Sequence, residues 1–247
     1  MAISIEVVLS PALLPLYSLK DKTVVVIDIL RASSSICVAF QTGAKKILPV
    51  ATPEEALLFR DFDFLTAAER NAVKVEGFDL GNSPFEFENP LIRDRSIAFT
   101  TTNGTKAIRL AKEMKADKIL IGSFLNLTAL CKYLIAQHQS VVLLCAGWKD
   151  NFNMEDTLFA GAVIHQMRPE LEEISCDSAL AALTLYTSAQ GNLLNLVNRS
   201  SHARRFKTLH AHTDDVAYCM QTDTLDLVPV LEGEYIVPLP KELPLHA

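Results

Sequence analysis

The chain has 247 residues, about half of them apolar (49%), and a formal net charge of −6. That length buries a substantial core in one domain, residues 1–247, or in two closely interlocked α/β subdomains. The acidic balance and the lack of aromatic-basic runs exclude a nucleic-acid surface. No apolar run reaches the roughly 18 to 20 residues of a membrane span, and the amino terminus has no signal-peptide pattern, so a cytoplasmic location without membrane contact is the expectation.

In chain order, Val24-Val-Val-Ile27 reads as a strand, and Ile36, Ala39 and Phe40 with Gly43 as a stop read as the following helix. Asp28, Arg31 and Ser33-Ser34-Ser35 therefore fall at the carboxyl end of a strand, where open α/β sheets bind ligands and helix-start N–H groups favour an anion. Two readings of this junction stand side by side. It is either a seat for a cation and a phosphate, or a structural Asp28–Arg31 ion pair with Ser33 as a helix cap.

A strand is expected at 46–50, and the turn-rich segment 78–84, with Asn82 and Ser83 before Pro84, reads as a long loop. The next unit is a strand at 97–101, the turn Asn103-Gly104-Thr105 and a helix at 106–115. A strand at 118–121 leads through Gly122-Ser123-Phe124 to a helix opening at Asn126. Residues 141–145 form a strand, 146–153 a loop and 155–167 a helix. Beyond these lie a helix at 175–191, a polar stretch at 192–205 and a helix near 214–221. The proline-bearing segments 227–230 and 235–239 read as edge strands. Alternating strands and helices predict a three-layer α/β fold, with a largely parallel or mixed sheet covered by helices on both faces. The loops after its strands are expected to converge.

A phosphate ester calls for arginine, backbone N–H groups and a divalent metal held by carboxylates. Asp28 is suited to Mg²⁺, Arg31 to a phosphate or carboxylate fork, and Asn103-Gly104-Thr105 to donating N–H groups, with Gly104 allowing close approach. Glu155 and Asp156 open a helix, and adjacent helical side chains diverge, so only one is expected to face a site. His202, in Ser200-Ser-His-Ala-Arg-Arg205, is either a group that meets the substrate, as ligand or general acid, or part of a solvated loop. His210 and His212 receive no role. Five scattered cysteines without a C-x-x-C pair read as packed thiols. Cys145 lacks the C-x₅-R loop of cysteine phosphatases, Arg-His-Gly is missing, and Asp28-Ile-Leu lacks the second Asp of D-x-D. A metal-activated water is then the expected nucleophile, with covalent attack by Asp28 as the alternative.

Six strings in order, Val-Ile-Asp28-Ile-Leu-Arg31-Ala-Ser-Ser-Ser, Glu69-Arg70, Gly77-Phe-Asp-Leu-Gly-Asn-Ser-Pro84, Thr-Thr-Asn103-Gly-Thr, Gly122-Ser-Phe-Leu-Asn and Cys145-Ala-Gly with Glu155-Asp-Thr-Leu-Phe-Ala-Gly161, resemble the 2-phosphosulfolactate phosphatase family from about residue 5 to 238. The resemblance implies a distinctive α/β family fold, a homodimer and Mg²⁺-dependent hydrolysis of 2-phospho-3-sulfolactate, a small anionic phosphorylated substrate of coenzyme M biosynthesis, or of a related 2-phosphorylated acid. On this reading Asp28, Arg31, Asn103, Gly104 and Thr105 are catalytic. Asp28 with Glu155 or Asp156 holds Mg²⁺. Ser33, Arg70, Asn82, Ser83, Lys106, Ser123, His202 and Arg204 bind substrate. Leu209-His-Ala-His-Thr departs from the family's glycine turn. The alternative is a non-catalytic binding protein for a phosphorylated or sulfonated metabolite.

Overall fold

The computed structural model describes residues 3–174, 176–208 and 213–240. In chain order the first half comprises β1 (Ile3–Val8), β2 (Lys22–Ile27), α1 (Ala32–Thr42), β3 (Lys46–Pro49), α2 (Pro53–Leu58), β4 (Phe64–Arg70), β5 (Val73–Lys74), α3 (Pro84–Phe87), β6 (Ser96–Thr100) and α4 (Gly104–Glu113). The second half comprises β7 (Lys118–Gly122), α5 (Leu127–Gln137), β8 (Ser140–Cys145), α6 (Met154–Met167), β9 (Leu171–Ile174), α7 (Asp177–Ala189), α8 (Leu193–Val197), α9 (Ser201–Thr208), α10 (Thr213–Cys219), β10 (Pro229–Glu232) and β11 (Tyr235–Pro238).

The eleven described strands form one sheet in the order β5-β4-β6-β3-β11-β10-β7-β2-β8-β1-β9. β4, β6 and β3 are mutually parallel, and so are β7, β2, β8, β1 and β9. Between these blocks sits the antiparallel β10–β11 hairpin, tied on by single partner pairs, Val230 with Leu120 and Ile236 with Ile47. Three antiparallel steps make the two blocks run in opposite directions along the sheet.

Strand side chains alternate between faces, and here both faces are covered. Val25, Ile27, Leu143 and Cys145 pack with α5, α6 and α7, while Val24, Val26, Val142 and Leu144 pack with α1 and α4. That arrangement is the expected three-layer α/β fold. Burial of both faces explains why β2 and β8 read as unbroken apolar runs. Gly43 ends α1 in the left-handed conformation, with φ 106°.

Two expectations fail. The stretch 192–205 is largely helical, since α8 and α9 bury Val197, His202, Ala203 and Phe206; its polar residues disguise one apolar face. The carboxyl-terminal strands are internal rather than edge strands. Their prolines are tolerated because Pro229 and Pro238 pair at the open end of the hairpin, beyond the single contacts to β7 and β3. His210 and His212 lie outside the described residues. Among those described, no helix is long and apolar enough to cross a membrane.

Candidate active site

The loops after β2, β4, β6 and β8 meet α9 around one small polar cavity. Asp28, Leu30, Arg31, Glu69, Ala72, Asn82, Asn103, Trp148, His202 and Phe206 line it. Its empty volume is about 240 Å³, with free room for roughly one water molecule. A wider groove between α5 and the β10–β11 hairpin has largely apolar walls, with Lys132 and Asp226 its charged residues among those described.

The β2–α1 junction is built around Asp28. Its N–H donates to Ser33 Oγ at 2.8 Å, its carbonyl accepts from Ser33 N–H at 2.9 Å, and its Oδ1 accepts from Ala32 N–H at 3.4 Å. Ser33 thus braces the turn instead of facing a ligand. The helix-start donors Ala32 N–H and Ser33 N–H are used within the protein. Burial, with Glu69 and Glu155 adding negative charge, raises the Asp28 carboxyl from 3.8 to about 6, against the opposing pull of His202.

Arg31 is fully buried and does not pair with Asp28. Its Nη1 donates to Asp215 Oδ2 at 2.6 Å, its Nη2 to Ala72 O at 2.9 Å, and the guanidinium lies 4.9 Å from the centre of the Phe206 ring. Ser83 Oγ donates to the other Asp215 oxygen at 2.7 Å. The charge of Arg31 is therefore balanced by α10, and Ser83 belongs to that pair.

Glu155 and Asp156 are both buried, and they do different work. Asp156 accepts from Ile29 N–H at 2.9 Å and Gly147 N–H at 3.0 Å, pinning the loops after β2 and β8 together. Its carboxyl is held well above the usual range by burial and by the charges of Glu155 and Asp28. Glu155 Oε1 sits 2.6 Å from His202 Nδ1, and its Oε2 is buried without a partner. This carboxylate fixes the imidazole and leaves Nε2 as the nitrogen available for chemistry. Far from lying in a solvated loop, His202 is buried between Trp148, with ring centres 5.4 Å apart, and Phe206, at 5.0 Å.

The β6–α4 junction contributes differently. Asn103 Oδ1 accepts from Lys149 N–H at 3.1 Å. Thr105 N–H is taken by Thr101 Oγ1 at 3.3 Å, and the Thr105 hydroxyl donates to Thr101 O at 3.1 Å, so Thr105 seals the turn and its N–H does not face the cavity. Gly104 is where the two junctions touch: a Cβ there would lie 2.7 Å from Ala32 Cβ and 2.8 Å from Asp28 Oδ2.

The remaining expected ligands scatter. Arg70 turns toward Thr100 Oγ1 (3.0 Å) and Ala51 O (3.2 Å). Lys106 pairs with Asp150 at 2.7 Å on the surface. Ser123 Oγ lies 2.9 Å from Ser34 Oγ, beneath the loop. Arg204 is on the exposed side of α9. Asn82 does line the cavity, with its Oδ1 buried and unpartnered. Cys145 is a buried thiol whose pKa is pushed well up by burial; it packs at the strand end.

A family model described as 2-phosphosulpholactate phosphatase matches residues 8–234. The chain belongs to that family. It is 39% identical over 219 residues to a protein of Caldanaerobacter subterraneus subsp. tengcongensis, covering 87% of this chain and 90% of the relative. It is 38% identical over 229 residues to one of Symbiobacterium thermophilum, covering 90% and 97%. With one of Thermotoga petrophila it shares 39% over 242 residues, covering 97% and 100%. Each carries the name probable 2-phosphosulfolactate phosphatase.

In this member of the 2-phosphosulpholactate phosphatase family, sequence reasoning gave no role to Ala72, Trp148, Phe206 and Asp215. Apolar residues and a helix-start Asp are too common to stand out without their neighbours. Glu69 was visible as half of Glu69-Arg70, but nothing in the pattern showed that Glu69 faces inward and Arg70 away.

Among the described residues no group of three or more His, Cys, Asp and Glu gathers as a metal cage. Asp156 gives its two oxygens to backbone N–H groups, while Glu155 spends Oε1 on His202 and keeps an Oε2 with no partner among the described residues. Mg²⁺ asks less of the protein, one or two carboxylates completed by water and substrate phosphate. Asp28 and Glu69, the two carboxylates that line the cavity, fit that demand, with Glu69 also accepting from Ala72 N–H and from the N–H and hydroxyl of Thr102. A cation there would offset the burial and the nearby carboxylate charges that raise Asp28.

Proposed function

We propose that this chain is a Mg²⁺-dependent phosphatase acting on 2-phospho-3-sulfolactate, the substrate named for its relatives, and that it serves coenzyme M synthesis as a homodimer. The observation that carries the reading is the cavity itself. It joins buried acidic groups at strand ends, Asp28 and Glu69, to an imidazole locked by Glu155. An acidic pocket repels an anionic ester, so a bound cation is the natural complement. Held by Asp28 and Glu69, Mg²⁺ would neutralise phosphoryl oxygens and make a bound water more acidic.

The residues supply the rest. Asn82 and Asn103 offer polar groups at the cavity wall, and Phe206, Trp148 and Leu30 exclude bulk water. Water adds to phosphorus as the ester P–O bond breaks. His202, gripped through Nδ1, is placed to pass an Nε2 proton to the departing alkoxide oxygen.

Phosphate release from 2-phosphosulfolactate, phospholactate and phosphoglycolate, with Mg²⁺ and with EDTA, tests the reading. Turnover that requires Mg²⁺ and favours the sulfonated acid is expected. A ligand-induced rise in melting temperature with no phosphate released would instead make the chain a binding protein.

A further inference from the structure

Arg205 carries an unanswered demand for hydrogen bonds beside the site. Its Nε and Nη2 atoms are buried and have no partner among the described residues. These donors share one edge of the planar guanidinium, the edge that meets two oxygens of a carboxylate or sulfonate in a fork. Buried donors on a charged group are costly to leave unmade, and native proteins leave them for a water, an ion or a ligand. Burial lowers the guanidinium pKa against the opposing charge of Glu155.

The location suits a substrate. The guanidinium carbon lies 4.4 Å from the centre of the Trp148 ring, which lines the cavity and also meets His202. His202 and Arg205 stand three residues apart on α9 and so share a face. Lys149 Nζ, 5.5 Å from the same ring, adds positive charge. Arg31, by contrast, is spent on Asp215 and Ala72.

We propose that the Nε–Nη2 edge of Arg205 is the subsite for the second oxyanion of the substrate, carboxylate or sulfonate, and sets the preference for acid esters over simple phosphate monoesters. This deepens the phosphatase reading and rests on it. The test compares kcat/KM of the Mg²⁺-loaded protein for 2-phosphosulfolactate and for p-nitrophenyl phosphate in wild type, Arg205→Lys and Arg205→Gln. The ratio of the two is expected to fall about tenfold or more in Arg205→Gln, and by less in Arg205→Lys, which keeps charge but loses the fork. Phospholactate and O-phosphoisethionate then report whether carboxylate or sulfonate is held. Equal loss on both esters would reveal a merely structural residue and overturn the proposal. A shifted pH profile with the ratio intact would place Arg205 with Glu155 and overturn it as well. Calorimetric binding of sulfolactate needs no turnover, so it separates the two readings. Absence of phosphate release from every ester defeats the phosphatase, whereas equal sulfolactate affinity in wild type and Arg205→Gln, or none in either, defeats the subsite.

Discussion

The β2–α1 and β6–α4 junctions have the same plan, a parallel strand feeding a helix through a polar turn, yet they contribute different things to the site. Around β2–α1, other residues satisfy the loop: Ser33 takes Asp28 N–H and Asp156 takes Ile29 N–H. The Asp28 carboxylate reaches the cavity as an underemployed acid. Around β6–α4 Thr101 and Thr105 close the turn, Glu69 takes Thr102 N–H, Asn103 accepts from Lys149 N–H, and the main gift is the space left by Gly104. A strand end becomes chemically active where it carries a carboxylate left with a single long hydrogen bond, as Asp28 is.

The strongest way to break this contrast is Asp28→Asn. Phosphate release is expected to fall about a thousandfold, roughly 4 kcal/mol of transition-state stabilisation, together with Mg²⁺ affinity. Full activity and unchanged Mg²⁺ dependence would show that β2–α1 is no more chemical than β6–α4.

The next effect sharpens the contrast through pH. In EDTA, the folded protein holds the Asp28 proton up to about pH 6, against 3.8 for an ordinary carboxyl. A raised pKa means a stabilising contribution fully present below about pH 3.8 and lost as pH rises through about 6. At pH 7, Asp28→Asn should therefore be more stable than wild type, by up to roughly 3 kcal/mol, with the gap closing near pH 4. Urea unfolding of both proteins across that range checks the sign; a gap that does not change with pH contradicts it.

The smallest effect probes where the junctions touch. Gly104→Ala places a methyl group against Asp28 Oδ2 and Ala32, which overpacking makes destabilising by about 1–3 kcal/mol. Activity should drop alongside the melting temperature, because the displaced atom is the carboxylate oxygen itself. A variant that loses neither would mean the junctions are less tightly packed than the contact implies.

Much of the fold was legible. Strands buried on both faces announce themselves as apolar runs, which is why β2, β6, β7 and β8 stand out and their following helices can be placed from periodicity and Gly43. β4 does not, because Phe64-Leu-Thr-Ala-Ala-Glu-Arg mixes apolar and polar residues without a clear period. In α9, arginines and a histidine hide a helix whose inner face carries Phe206 and His202.

By itself the sequence determined the α/β class, the family, and the presence of Asp28 at a strand end, since each depends on local patterns or ordered strings along one chain. Only the tertiary structure decided that Arg31 serves Asp215, that Glu155 locks His202 while Asp156 pins two loops, and that Arg205 rather than Arg204 sits beside the cavity. Those outcomes depend on which distant polar groups share a desolvated space. Desolvation, which makes a buried charge or an unmade hydrogen bond costly, acts through neighbours in three dimensions, and no spacing along the chain records it.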